Sequence, residues 1–221
     1  MRDWLRRNRG FLLFLLGLAL FRTAVADWNP IPSGSMRPTL LEGDVVLVNR
    51  LAYDVKVPLT DVALARLGEP QRGDVVTFHS PRDGTRLIKR IVGLPGDVLE
   101  MRDEVLVVNG QPADYAEPTF VQERKWGTTT PGVRTVERLP AAEHAVQFLP
   151  ALPAQRSFPP LRVPQGSYFV LGDNRDDSAD SRTIGVVPRR LLIGRAHHIL
   201  VSADILANWR PRLARLGEPI R

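Results

Sequence analysis

Gly43-Asp44-Val45-Val46-Leu47-Val48 and Gly73-Asp74-Val75-Val76-Thr77-Phe78 share one pattern, a Gly-Asp pair followed by a short apolar run. Two further runs, Leu87-Ile88-Lys89-Arg90-Ile91-Val92-Gly93 and Ser167-Tyr168-Phe169-Val170-Leu171-Gly172, end on glycine. Their β-branched and aromatic content, over four to seven residues each, predicts strands. Val98 to Val108 followed by Asn109-Gly110 predicts a hairpin with a tight turn. Helical periodicity is missing beyond the N-terminus, apart from a weak trace over 61–66. From Gln111 to Pro164 the texture changes, with nine of the nineteen prolines, which break long elements. The expected fold is mostly β: one large β-sheet domain over 27–221, with a loop-rich inserted subdomain at 111–164. A single N-terminal transmembrane helix is expected to precede it.

That N-terminal expectation rests on charge and length. Arg2, Arg6, Arg7 and Arg9 stand against Asp3, and Phe11 to Phe21 is apolar throughout apart from Gly17. The arginine excess favours a cytoplasmic start, with Trp4 and Trp28 where interfacial aromatics sit. Residues 11–26 number 16, about 24 Å of helix at 1.5 Å per residue. A spanning helix wants roughly 20 apolar residues, whereas 10–14 more often mark a signal peptide. Ala24-Val25-Ala26 also reads as an A-x-A cleavage site. A retained anchor and a cleaved signal peptide therefore compete on these residues. Both place everything after residue 27 outside the cytoplasm, with 1–10 as the cytoplasmic segment.

The chain of 221 residues, 43% hydrophobic and 24% charged, is long enough for one large domain or two small ones. It has no cysteine, which excludes disulfides, thiolate metal sites and cysteine nucleophiles. A net charge of +6 and a pI near 10.4 suit an anionic partner. The arginines are scattered and no nucleic-acid recognition motif appears, so lipid proximity or solubility is expected and no nucleic acid.

Ile31-Pro32-Ser33-Gly34-Ser35-Met36-Arg37-Pro38-Thr39-Leu40 places two serines around a glycine between prolines. Such a segment is stiff and closely approachable, and can hold a hydroxyl at a fixed angle, though serine clusters are usually loops. A serine needs a base. None of His79, His144, His197 and His198 lies in a triad signature, and a metal site from them has less support still. Lys89 sits inside an apolar run, where burial would disfavour its charge. Serine with a desolvated lysine is one alternative to a histidine triad. On these residues alone, the favoured reading of Lys89 is the plainer one, the solvent-facing member of an amphipathic strand. In Gly172-Asp173-Asn174-Arg175-Asp176-Asp177-Ser178-Ala179-Asp180-Ser181-Arg182 the carboxylates suggest calcium, but an EF-hand needs a central glycine and a closing glutamate that are missing. A tight loop held by carboxylate–arginine pairs fits better.

The segments Ile31-to-Leu40, Arg72-to-Phe78, Ile88-to-Asp97 and Gly172-to-Arg182, in that order after an apolar run, resemble bacterial type I signal peptidase (leader peptidase), the membrane-anchored Ser-Lys dyad serine protease family. The resemblance covers about a quarter of the chain. It implies Ser35 as nucleophile and Lys89 as general base, with the Ser33 hydroxyl and the Ser35 N–H as the oxyanion hole. It implies that Ser178 holds the Lys89 amine, that Asp180 and Arg182 form a supporting ion pair, and that Asp173 is a structural carboxylate. Ile31, Pro32, Met36, Leu40, Leu87 and Ile88 would line shallow apolar pockets for alanine at −1 and −3 of the substrate. It implies no cofactor and no metal. The partners would be the signal peptides of exported preproteins and the lipid bilayer, at the bacterial inner membrane with a single pass and an extracytoplasmic catalytic domain. The family keeps its anchor, which favours retention of residues 11–26, with Ala24-Val25-Ala26 as a site of self-cleavage. Thr183-Ile184 replace a common aromatic pair, Leu87 replaces a common tyrosine, and one membrane segment precedes the site where some members have two. The rival readings are a conjugation-type peptidase with few substrates and an inactive membrane-tethered binding module.

Overall fold

A computed structural model describes residues 2–125 and 128–220. Met1 and Arg221, the outer limits of the expected segments, and Trp126 and Gly127 lie outside the described residues. The chain opens with α1 (Arg2–Arg7) and α2 (Arg9–Ala24). The strands that follow are β1 (Ala26–Pro30), β2 (Asp44–Asn49), β3 (Asp54–Lys56), β4 (Ala63–Arg66), β5 (Val75–His79) and β6 (Arg86–Gly93). Next come β7 (Val98–Arg102), β8 (Val105–Val108), β9 (Gln111–Pro112), β10 (Asp114–Tyr115), β11 (Thr119–Lys125), β12 (Thr128–Leu139) and β13 (Ala142–Phe148). The chain closes with β14 (Phe158–Arg162), β15 (Ser167–Leu171), α3 (Ser181–Ile184), β16 (Val187–Pro188) and β17 (Leu192–Ser202).

The architecture is mostly β. A seven-stranded sheet runs in the order β1-β2-β17-β5-β6-β15-β16, all of its neighbours antiparallel. The four runs read as strands fall on β2, β5, β6 and β15. In β2 side chains alternate between buried and half-buried, as the period of two requires. All five residues of β15 are buried, because it is covered on both faces. One core cluster, around Val92, Leu99, Met101, Leu106, Phe169 and Leu171, joins this sheet to the four-stranded sheet β14-β7-β8-β9. A second lies under the serine stretch, with Met36 and Leu40 packed against Val46, Val48, Val75 and Ile199.

Four expectations are corrected. The weak helical trace over 61–66 is strand β4, paired to β3, since four residues with no buried face have nothing to pack a helix against. The 98–108 hairpin turns at Asp103-Glu104, both at positive φ, and Asn109-Gly110 makes a second tight turn into β9. The segment 111–164 is strand-rich rather than loop-rich: β12 carries β10 and β11 along one edge and β13 along the other. Its prolines are tolerated because of where they fall. Pro131 pairs only with Gln122 of β11, ahead of the point where β13 joins at Val133, so its missing N–H costs no ladder bond. At the N-terminus the helix covers Arg9–Ala24 rather than 11–26, and Ala26 already belongs to β1. Helix α2 buries none of its residues, and among the described residues no helix is long and apolar enough to cross a membrane.

Candidate active site

Ser35 lies in a single turn of 3-10 helix, Gly34–Met36, between β1 and β2. Two devices fix that turn. Ile31 N–H donates to Asp44 O at 2.8 Å and Gly43 N–H to Ile31 O at 2.9 Å, closing the loop at its base. From beneath, the side chains of Met36 and Leu40 are sunk wholly in the core. Lys89 lies on β6 opposite Val76 of β5. Neighbouring residues of a strand face opposite ways. Consecutive cations therefore serve different partners: Lys89 reaches the serine turn and Arg90 reaches Asp173.

Lys89 Nζ is 2.8 Å from Ser35 Oγ and donates to the Ile88 carbonyl at 2.9 Å. Lys89 is only 2% exposed. Burial lowers its pKa from 10.5 to about 8, against the pull of the carboxylates of Asp180, Asp173 and Asp177. Ser33 is exposed, and its Oγ lies 3.5 Å from Ser35 Oγ. None of the histidines approaches Ser35. His79 bonds Asp61 and the Gly84 carbonyl, His144 is buried beside Glu137, and His197 and His198 stack on each other.

The segment following β15 wraps the dyad from behind. Asp173 accepts from Arg90 Nε at 2.8 Å and Nη2 at 2.7 Å, and from the Thr39 hydroxyl. Burial alone would raise the Asp173 pKa, but the Arg90 charge and these bonds bring it below the usual value. Asp180 caps α3, accepts from Arg182 Nε and Nη2 at 2.8 Å each, and accepts from Gly172 N–H at 3.0 Å. The Ser178 hydroxyl is buried without a hydrogen-bond partner, so it does not hold the amine in this arrangement. It lies against Gly172, where an added Cβ would come 2.2 Å from Ser178 Oγ and 2.5 Å from the Ser35 carbonyl oxygen. Only glycine permits that approach.

The six residues expected to line apolar pockets divide. Pro32 is exposed and Leu87 and Ile88 are half-buried, so these three offer surface. Ile31, Met36 and Leu40 are buried in the core cluster. Met36 and Leu40 have no exposed surface and form the floor of the turn rather than a contact for an incoming chain. Gly172 and Asn174 carry no role in the sequence reading, and the structure gives each of them one. Gly172 supplies the close approach just described. Asn174 binds the serine turn twice, its N–H donating to Ser35 O at 3.1 Å and its Nδ2 to Gly34 O at 3.0 Å. No spacing rule signals such a contact between residues 140 apart.

Comparison with known proteins bears on this arrangement. The family described as "Signal peptidase, peptidase S26" matches residues 1–201. "Signal peptidase I" of Pseudomonas fluorescens is 36% identical over 225 residues, covering 95% of this chain and 77% of that protein. "Signal peptidase I" of Pseudomonas aeruginosa is 35% identical, again covering 95% and 77%. The protein of the same name from Rickettsia massiliae is 34% identical, covering 90% and 81%. A crystal structure of a signal peptidase I from Enterococcus faecalis V583 matches at 33% identity over 58% of this chain and 97% of that one, with a TM-score of 0.35. A hydroxyl and a buried amine in contact, behind a family match over nine-tenths of the sequence, lead to one conclusion: the chain belongs to the signal peptidase family, peptidase S26, and is a peptidase.

Proposed function

We propose that this enzyme is a membrane-bound serine endopeptidase that removes signal peptides from exported preproteins after small residues, with Ser35 as nucleophile and Lys89 as general base. The observation that carries the proposal is the 2.8 Å contact between Ser35 Oγ and an amine whose burial brings its pKa to about 8. The substrate lies extended beside the serine turn, its backbone giving affinity and small pockets giving selectivity. Pro32, Leu87 and Ile88 supply the apolar surface for its small side chains. Ser35 Oγ attacks the scissile carbonyl as Lys89 Nζ takes its proton, and the Ser33 hydroxyl and Ser35 N–H receive the oxyanion. One such donor is worth about 3–4 kcal/mol in the transition state. Lys89 then protonates the leaving amine and deprotonates the water that releases the acyl-enzyme. Asp173 with Arg90, and Asp180 with Arg182, hold the surrounding backbone.

Helix α2, Arg9–Ala24, is the proposed single-pass anchor, with the residues before it in the cytoplasm and the catalytic domain from 27 onward on the outer face of the bacterial inner membrane. Support comes from an apolar helix exposed on all sides with arginines before it. Anchoring confines enzyme and preprotein to one surface. The test is cleavage of a preprotein carrying an A-x-A site by purified, folded variants. Ser35→Ala and Lys89→Met should each abolish it, and Lys89→Arg should fail as well, since guanidinium keeps its proton. Retained cleavage by any of the three refutes the dyad.

A further inference from the structure

The oxyanion donor proposed above is half of one peptide unit, the one joining Gly34 to Ser35. A trans peptide is planar, so its carbonyl and its N–H point in opposite directions. Whatever holds Gly34 O therefore aims the Ser35 N–H. Gly34 O has two partners. One is local: Arg37 N–H donates at 3.0 Å and closes the 3-10 turn. The other crosses the molecule: Asn174 Nδ2 donates at 3.0 Å. Asn174 is 1% exposed, and its own backbone N–H donates to Ser35 O at 3.1 Å, one peptide further along. Its main chain is in turn fixed, because Gln147 N–H donates to Asp173 O and Arg175 N–H to Gln147 O, both at 2.8 Å. A single residue thus grips the carbonyls on either side of the nucleophile from behind, on a support locked to β13.

We infer that Asn174 is the positioning residue for the oxyanion hole: its side-chain amide fixes the Gly34–Ser35 peptide so that the Ser35 N–H faces the scissile carbonyl. This rests on the proposed dyad and deepens it, since it assigns the orientation of a donor to a residue that touches neither substrate nor base. Asn174 acts on charge developing in the transition state, so substrate affinity and the Lys89 proton lie outside its reach.

The experiment uses the full-length, detergent-solubilised enzyme with Asn174→Ala and Asn174→Asp, and Ser35→Ala beside them. Asn174→Ala removes the amide donor but keeps the backbone bond to Ser35 O. Asn174→Asp keeps the shape and sets a carboxylate against Gly34 O. The expected result is a fall in kcat of about 10²-fold for Asn174→Ala and more for Asn174→Asp, within the range for loss of an oxyanion donor. KM and the pH dependence of kcat/KM should stay as in the parent enzyme. Affinity for a peptidyl boronate, whose tetrahedral adduct places an oxygen in the hole, should fall in step with kcat. Unchanged kcat in a folded Asn174→Ala enzyme overturns the inference, as does a loss confined to KM or a displaced pH profile. If Ser35→Ala still cleaves, the dyad itself is wrong; if Ser35→Ala is dead and Asn174→Ala fully active, only the Asn174 role falls. If both Asn174 variants unfold, the parent enzyme decides. A through-hydrogen-bond NMR coupling between the Asn174 amide and the Gly34 carbonyl supports the grip, and its absence with the Asn174 amide freely exchanging overturns it.

Discussion

A lysine makes a poor base until something removes its charge, and at Lys89 that agent is burial. An unperturbed amine near 10.4 is neutral in about one molecule in a few thousand at pH 7, whereas one near 8 is neutral in roughly one in ten. The gain in available base is about 200-fold. We therefore expect kcat/KM to rise with pH through an apparent pKa near 8 and to level off above it. A profile still climbing tenfold per pH step beyond 9 would mean that the amine is solvated. The same burial has a stability cost of defined sign. With a folded value near 8 and an unfolded one near 10.5, the unfolded chain binds more protons between those limits, so stability rises with pH across that window. Below 8 the full cost applies, about 3 kcal/mol for that gap. Lys89→Met should accordingly unfold at a higher temperature than the parent at pH 7 while being inactive, and calorimetry at pH 7 and pH 10 would show the difference shrinking. Equal unfolding temperatures at pH 7 would contradict a charge held dry. The sequence suggested this chemistry through an amine in an apolar run, but it left open which face Lys89 occupied. That face is set by pairing with Val76, a contact between strands.

At the scale of elements, the segment after β15 works as a clasp between two sheets. Gly172 continues from Leu171, which pairs with Arg90 beside Lys89, and the chain then leaves the sheet over the serine turn. Asp180 accepts the Gly172 N–H and so fixes where that departure begins. The clasp is bolted on its far side to β12, where Arg175 donates to both oxygens of Glu137 at 2.8 and 2.6 Å with both residues buried. A second bolt joins the serine turn to the same ribbon, with Arg37 bridging Glu42 and Glu123. Because the parts meet at Gly172, a single methyl group there has a large effect. Gly172→Ala would set a Cβ within 2.5 Å of Ser35 O and nearer still to Ser178 Oγ. Relief requires shifts approaching 1 Å at the nucleophile, a displacement that costs about 10²-fold in rate. We expect Gly172→Ala to retain its circular dichroism spectrum and lose that much kcat/KM, and normal activity would mean that the turn gives way freely. Such joints were the least legible part of the sequence. Apolar runs after Gly-Asp disclosed β2 and β5 because strand pattern is local. The prolines of 111–164 read as breakers because their meaning depends on a neighbouring strand, as Pro131 shows. The Asp103-Glu104 turn escaped notice because it reaches positive φ without glycine or asparagine.

Across the whole molecule, the body and the N-terminal helix are held by very different forces. The body closes around core clusters that share the seven-stranded sheet, whereas α2 buries nothing and leaves Phe11, Leu13, Phe14, Leu16 and Phe21 half or more exposed. Its attachments are few: Arg22 pairs with Asp27 at 2.7 Å and lies over the Trp28 ring at 4.4 Å, and Thr23 Oγ1 accepts from Leu59 N–H at 3.1 Å. Exposed contacts of this kind contribute about 0–1 kcal/mol each. A helix apolar on every side has its stable environment in lipid rather than in water. Its 16 residues span about 24 Å, some 6 Å less than a typical hydrocarbon core, so the anchor we propose would require local thinning of the bilayer. Removing residues 1–21 keeps Arg22 with Asp27 and takes away only what we assign to the membrane. The truncated enzyme should unfold within about 3 °C of the full chain, since 1 kcal/mol shifts a protein of this size by roughly that much. It should cut a short soluble peptide at the parent rate, lose its sedimentation with phospholipid vesicles, and cut a vesicle-embedded preprotein about 10²-fold more slowly through lost effective concentration. A drop of 10 °C or more would make α2 part of the folded body. Undiminished cleavage of the embedded preprotein would remove the case for an anchor, because the helix would then bring enzyme and substrate no closer together.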